Sequence, residues 1–308
     1  MRLIRQVAVA GTLAAQHLVR LAYAQNSSLP EHCDLTIQQA AEGGFFNSTG
    51  TGKIQFARQD SQHPLEPWYM TQTLHVTRDE KDAWRTQSLT VFLSVPESFV
   101  GSDEANKTNV CAYRMRGLNA TAHDDGSCDE LLSDDCLDAI DDLPAMPDSD
   151  GNCPSVNVQD ACGQGFFLST DPRLSCGILG VARPFNFSSS ACSISGLPGS
   201  DLPDNYRTFT GIGTVTLSLT PETDDDPYAM YDLRVRQPAP VLIKARLGAS
   251  GSVAYQQQKM LCIAPNKVVE GSRRPEGDFP PSSASGAERP RAMILALAVS
   301  LAVAGGML

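Results

Sequence analysis

Apolar and polar residues alternate strictly along much of the chain, and that period of two predicts β-strands. Trp68, Met70, Leu74 and Val76 fall on one side of a first strand, with Tyr69, Thr71, Thr73 and His75 on the other. Leu89, Val91, Leu93 and Val95 alternate with Ser88, Thr90, Phe92 and Ser94. From Phe209 the apolar or small set is Phe209, Gly211, Gly213, Val215, Leu217 and Leu219. Its opposite face is nearly pure hydroxyl: Thr208, Thr210, Thr214, Thr216, Ser218 and Thr220. Shorter strands are predicted over residues 110–116, 231–235, 241–246, 253–257 and 260–264. About eight strands, each with one wet face, predict a mainly β fold, an antiparallel β-sandwich. The chain contains no internal repeat.

A different pattern interrupts the strands. Residues 117–172 hold thirteen Asp or Glu and no Lys or Arg, leaving 22 acids against 24 bases elsewhere, so the net charge of -11 is local. One short helix is predicted there. Ser127 and Glu130 have capping-box spacing, Leu132, Cys136, Ile140 and Leu143 recur on one face, and Pro144 marks the stop. Six of the nine cysteines lie in or just beyond this stretch: Cys128, Cys136, Cys153, Cys162, Cys176 and Cys192. It reads as an acidic, disulfide-stapled insertion over about 117–200, with Cys33, Cys111 and Cys262 outside it. An odd count leaves at least one cysteine without a partner in the same molecule. Two cysteines eight residues apart on one helix stand about 12 Å apart, so Cys128 and Cys136 should not bridge each other. A Cys111–Cys262 bond, joining two predicted strands, is the one pairing the strand assignments suggest.

Both ends carry targeting signals. A basic start with Arg2 and Arg5, an apolar run from Val7 and the small-residue pattern Ala22-Tyr23-Ala24 predict a signal peptide over residues 1–24. Residues 292–308 hold no charge, and Ser282 to Ala287 lie upstream beyond a polar spacer. That order of small site, spacer and apolar tail predicts attachment of a glycosylphosphatidylinositol (GPI) lipid at Ser283, with 284–308 removed. Between them lie an ectodomain over 25–265 and a short tether over 266–283. Asn26, Asn47, Asn106, Asn119 and Asn186 each begin an N-x-Ser/Thr sequon, more than chance gives for so few asparagines.

Candidate chemistry is sparse. An acidic chain without a basic run excludes nucleic acid as a partner. The sequence has no C-x-x-C, H-x-H or H-E-x-x-H, and His32, His63, His75 and His123 lack ligand spacing, so no metal or cofactor is predicted. Asp148-Ser149-Asp150-Gly151 fails as a calcium loop because Met146 and Asn157 fall where its first and last acids belong. No G-x-S-x-G occurs. The doublets Asp124-Asp125, Asp134-Asp135 and Asp141-Asp142 could supply the facing carboxylates of a glycoside hydrolase, although runs of acids ordinarily serve solubility. Trp68, Tyr69 and Trp84 are the candidate aromatic platform for a sugar, weighed against a core role for Trp68.

In the Ala22-Tyr23-Ala24 site, the five sequons, the spaced cysteines and the 292–308 tail, the chain resembles the GPI-anchored, cysteine-containing cell-surface and cell-wall proteins of filamentous fungi. The resemblance covers the architecture of the whole chain and carries no catalytic motif. It implies a non-enzymatic glycoprotein on the outer face of the plasma membrane or in the wall. Its role there would be wall organisation or surface interaction. Its partners would be the membrane, through the GPI lipid, and wall polysaccharide or other surface proteins. A carbohydrate-binding module or carbohydrate-active hydrolase is the alternative.

Overall fold

The computed structural model describes residues 46–57, 66–78, 85–115, 117–143, 156–162, 167–168, 192–219, 228–249 and 252–280, with Ile37, Cys153 and Phe187. The described part is mainly β, built from two antiparallel sheets. The first sheet orders β10 (Lys267–Val268), β1 (Ser48–Ile54), β2 (Trp68–Arg78), β3 (Arg85–Pro96) and β7 (Tyr206–Leu219). The second orders β4 (Asn109–Arg114), β8 (Ala239–Ala249) and β9 (Ser252–Ile263). A small ladder joins β5 (Val156–Asn157) to β6 (Phe167–Leu168). The helices are α1 (Asp134–Asp141), α2 (Gln159–Cys162) and α3 (Ala229–Arg236).

The sheets face each other across the core that the alternation predicts. Met70, Val91, Leu93 and Val95 from the first sheet meet Val110, Ala112, Val241, Ile243, Ala245 and Leu261 from the second. Trp68 sits in this layer against Phe56, Phe99 and Phe187, with ring centroids 5.0, 5.1 and 5.5 Å away. Beyond the end of the second sheet, α3 takes over the packing, with Tyr231 and Val235 on Leu74 and Leu89.

Neither outer face is wet as expected. On the first sheet Thr71, Thr73, Phe92 and Ser94 are fully buried, under a third layer made by Phe46, Cys192, Ile194, Leu197 and Leu202. The hydroxyls survive there by pairing: Ser94 and Thr208 share a hydrogen bond of 2.9 Å, and the Oγ1 of Thr49 donates to the carbonyl of Pro198 at 2.8 Å. On the second sheet the outward residues Cys111, Tyr113, Leu242 and Cys262 lie under the insertion, through Leu132, Cys136, Ile140 and Val158. Alternation reveals a strand but not what a distant segment lays over its polar side.

Local departures have local causes. Residues 231–235 form a helix and not the predicted strand. Their alternating apolar residues also satisfy a helical spacing, since Tyr231 and Val235 are four apart and both buried. Residues 253–257 and 260–264 were expected as two strands, whereas β9 is continuous. The glutamines between them are not a break, because they reach adjacent elements. Gln257 exchanges hydrogen bonds with the backbone of Ala57, and Gln258 bonds Asp141. β1 has almost no apolar residues and escapes a pattern search. Its Gly50 lies so close to β9 that a Cβ there would stand 1.9 Å from the carbonyl oxygen of Ala264. The helix of the insertion starts later than the Ser127–Glu130 pair suggests. Ser133 is its N-cap, accepting from the N–H of Cys136 at 3.3 Å, while Glu130 stands in left-handed backbone with φ 63°.

The insertion is tied down covalently. Cys111 pairs with Cys153, Cys128 with Cys262 and Cys136 with Cys162. The expected Cys111–Cys262 bond is therefore incorrect: β8 lies between β4 and β9, so the two cysteines sit two strands apart on the outward face, and each bonds down to a different part of the insertion. The segment read as a tether is also partly folded, since β10 pairs with β1 and residues 273–277 bond to α3.

Candidate functional site

The most unusual chemistry of the described residues lies between the sheets, where α3 meets the sandwich. Along β4 the inward positions read Val110, Ala112, Arg114, and along β2 they read Trp68, Met70, Gln72, Leu74. Two apolar rows thus each admit one polar residue, and the fold brings them together. The Nε of Arg114 donates to Oε1 of Gln72 at 3.3 Å. Arg114 is only 3% exposed. Burial, and then the neighbouring charge of Arg234 on α3, push its guanidinium down to about 9. It still carries its proton at neutral pH. Among the described residues, the centre is therefore a desolvated positive charge, without a nucleophile or a carboxylate hydrogen-bonded to Arg114.

The carboxylate of α3 is engaged elsewhere. Asp232 accepts a two-pronged bond from Arg273, at 3.3 Å from Nε and 3.0 Å from Nη2. Arg273 also lies over the ring of Tyr228, 4.3 Å from its centroid. Its backbone carbonyl accepts from the Tyr231 hydroxyl at 2.6 Å. Arg236 extends the clamp by donating to the carbonyls of Gly277 and Glu276, both at 2.8 Å. Residues 273–277 thereby form a strap that holds α3 against the end of the sandwich. Arg273 is shifted upward, mainly by its hydrogen bond to Asp232.

The residues singled out from sequence lie apart from this centre. Trp68 is core, 3% exposed, and offers no face to a sugar. Tyr69 is half-buried and packs edge-on against Tyr206, centroids 5.1 Å apart. Trp84 lies outside the described residues. The acids Asp124, Asp125, Asp134, Asp135, Asp141 and Asp142 are exposed, and among the described residues no group of His, Cys, Asp or Glu is arranged to hold a metal. Asn106 and Asn119 are exposed. Asn47 has a structural use: its Oδ1 accepts from the N–H of Val76 at 2.7 Å, and its carbonyl accepts from Val269 at 3.0 Å. Cys192 is disulfide-bonded in addition to the three described pairs. Asn26, Asn186, Cys33, Cys176 and Ser283 lie outside the described residues.

The insertion is held by more than cysteine. Lys244, buried on the outward face of β8, donates to the carbonyl of Leu143 at 3.0 Å, at the end of α1. Burial lowers its ammonium and Asp141 opposes that shift. The charges around the two ends of α1 differ. Asp134 and Asp135 stand in its first turn, where the helix dipole favours negative charge, and a lysine meets its carbonyl end.

Sequence reasoning missed the Arg114–Gln72 centre, though a signal existed. Gln72 and Arg114 are the polar exceptions in otherwise apolar inward rows, and an exception in a buried row is the mark of a paired polar group. Compared with known proteins, the chain matches no family model, no curated protein and no solved structure.

Proposed function

We propose that this chain is a secreted, N-glycosylated surface protein, held at the membrane by a GPI lipid, whose folded unit acts by interaction and not by catalysis. The observation that carries the reading is the state of its cysteines. All seven described cysteines are disulfide-bonded, a pattern that belongs to an oxidising compartment. Exposed Asn106 and Asn119 on loops flanking β4 suit glycan addition on the same route. The apolar 292–308 segment and the small residues before it supply the anchor signal.

Since 273–277 is strapped to α3 and the attachment residue is Ser283, the anchored sandwich would stand directly on the membrane, without a stalk. A domain so placed suits contact with other surface molecules close to the bilayer. The test is treatment of intact cells displaying the chain with a phosphatidylinositol-specific phospholipase C. Release into the medium, with a mobility increase after glycan removal, is the expected result. A chain that stays in the detergent phase after treatment, or that carries no glycan, defeats the proposal.

A further inference from the structure

Among the described residues, Arg114 is a charge buried without a compensating charge bonded to it. Its one hydrogen bond runs to a neutral amide, Gln72, and its Nη1 is buried with no hydrogen-bond partner. The charge of Arg234 on α3, which acts on it, is of the same sign. The carboxylate of Asp232 on the same helix is bound to Arg273. A buried ion in this position is strongly unfavourable unless an opposite charge joins it.

Two further buried polar atoms stand on the inner face of the first sheet, two and four residues along from the Gln72 row. Ser48 pairs across from Leu74 and Gln87 across from Val76, which puts both on the face of the first sheet that Gln72 shares. Ser48 Oγ and Gln87 Oε1 are likewise buried with no hydrogen-bond partner. A serine hydroxyl can donate a hydrogen bond, and an amide turned end for end presents its NH₂ where its oxygen stood. The unpaired guanidinium supplies both the charge and the donor for an anion.

We propose that Arg114 anchors an internal anion site, between the sheets and beneath α3, that takes a small monovalent inorganic anion of the halide class. A halide matches the charge of one guanidinium. It also accepts hydrogen bonds from any direction, so Nη1 of Arg114 can hold it without a planar set of donors. A phosphate or sulfate would bring a second charge into a region with one buried arginine in direct reach.

The test is thermal unfolding of the intact, disulfide-bonded protein in sodium chloride and in sodium gluconate at equal ionic strength. An anion that binds only the folded state raises the melting temperature by about 2–4 °C at ten times its dissociation constant, for a domain of this size. The expected result is that rise for the native protein and none for Arg114→Met, which keeps the bulk and removes the charge. Equal melting in both salts, or the same chloride effect in the variant, overturns the proposal. Should the variant fail to fold, crystals of the native protein in sodium bromide decide it. Anomalous scattering beside Nη1 of Arg114 supports the site, and bromide found only at the protein surface refutes it.

Discussion

Two covering layers hide the outer faces of this sandwich, and they are held by different means. The insertion over the second sheet is fixed by Cys111–Cys153 and Cys128–Cys262, with Lys244 and Gln258 adding polar contacts. The layer over the first sheet rests mainly on apolar packing around Phe92 and on hydroxyl pairs such as Ser94 with Thr208, with one disulfide at Cys192. The insertion is crowded with like charge, and Asp or Glu on a surface repel one another and favour solvent. Covalent staples offset that tendency. The neutral 192–202 segment carries one acid, Asp201, which is paired with Lys267, and it lies down with hydrogen bonds and small apolar contacts. The more densely charged layer is the one that carries three described disulfides.

Cutting the longest of the three described pairs should separate the two layers most sharply. Cys128–Cys262 closes a separation of 134 residues, for which loop entropy predicts about 5 kcal/mol, with measured losses for native bonds of about 2–5 kcal/mol. Cys128→Ala with Cys262→Ala is expected to lower the melting temperature strongly and to open the insertion to limited proteolysis before the rest of the chain. If proteolysis instead begins in residues 192–202, the stapled layer is not the one that depends on its staples.

On the other layer, Thr208→Val is the matched perturbation. It keeps shape but removes the acceptor of the Ile194 N–H at 3.3 Å and the partner of Ser94. Leaving buried polar groups unsatisfied costs about 1–3 kcal/mol. Denaturant unfolding is expected to show that loss with the insertion still protease-resistant. No change in stability would mean that apolar packing alone holds this layer.

A smaller and subtler effect separates the layers by pH. Tyr113 lies under the insertion and Tyr206 at the margin of the other layer. Burial raises both hydroxyls. Tyr206 is pushed up to about 12 by burial, then by Tyr69 and Glu66, from an ordinary 10.0. Tyr113 is raised further, by burial. A raised folded-state value means that stability from the neutral phenol is whole below pH 10 and is lost as pH rises toward the folded value. Ultraviolet titration should find both phenols protonated at pH 11 in the oxidised protein. After reduction, Tyr113 should ionise near its ordinary value while Tyr206 stays protonated. Simultaneous ionisation of both would show that the two layers loosen as one.

The weakest expected effect concerns the surface. Asn106→Gln and Asn119→Gln remove exposed sequons and should leave stability within about 0.5 kcal/mol, while each increases gel mobility by one glycan. Asn47→Gln should cost more, because the longer side chain misplaces the acceptor for Val76. A neutral Asn47→Gln would remove that structural role.

Much of this fold was legible in the sequence. Strong alternation located β2, β3 and β7, since a period of two against a common core is a local property of the chain. The acidic run and its cysteines marked the insertion for the same reason. The strand expected at 231–235 failed because Tyr231 and Val235 satisfy both periods, and only the open end of the sandwich chooses the helix. The candidate sugar platform failed at Trp68 because a large aromatic in an inward row is core, as the row itself indicated.

What the chain determined alone was therefore its main strands and the site of its negative charge, both of which depend on neighbours in sequence. The disulfide pattern, the dry outer faces and the meeting of Arg114 with Gln72 join residues far apart along the chain, the last pair by 42 positions. Those features follow from which faces the sheets bury and which segments return to cover them. Such long-range packing is set by the burial of the whole core, and no local window of sequence contains it.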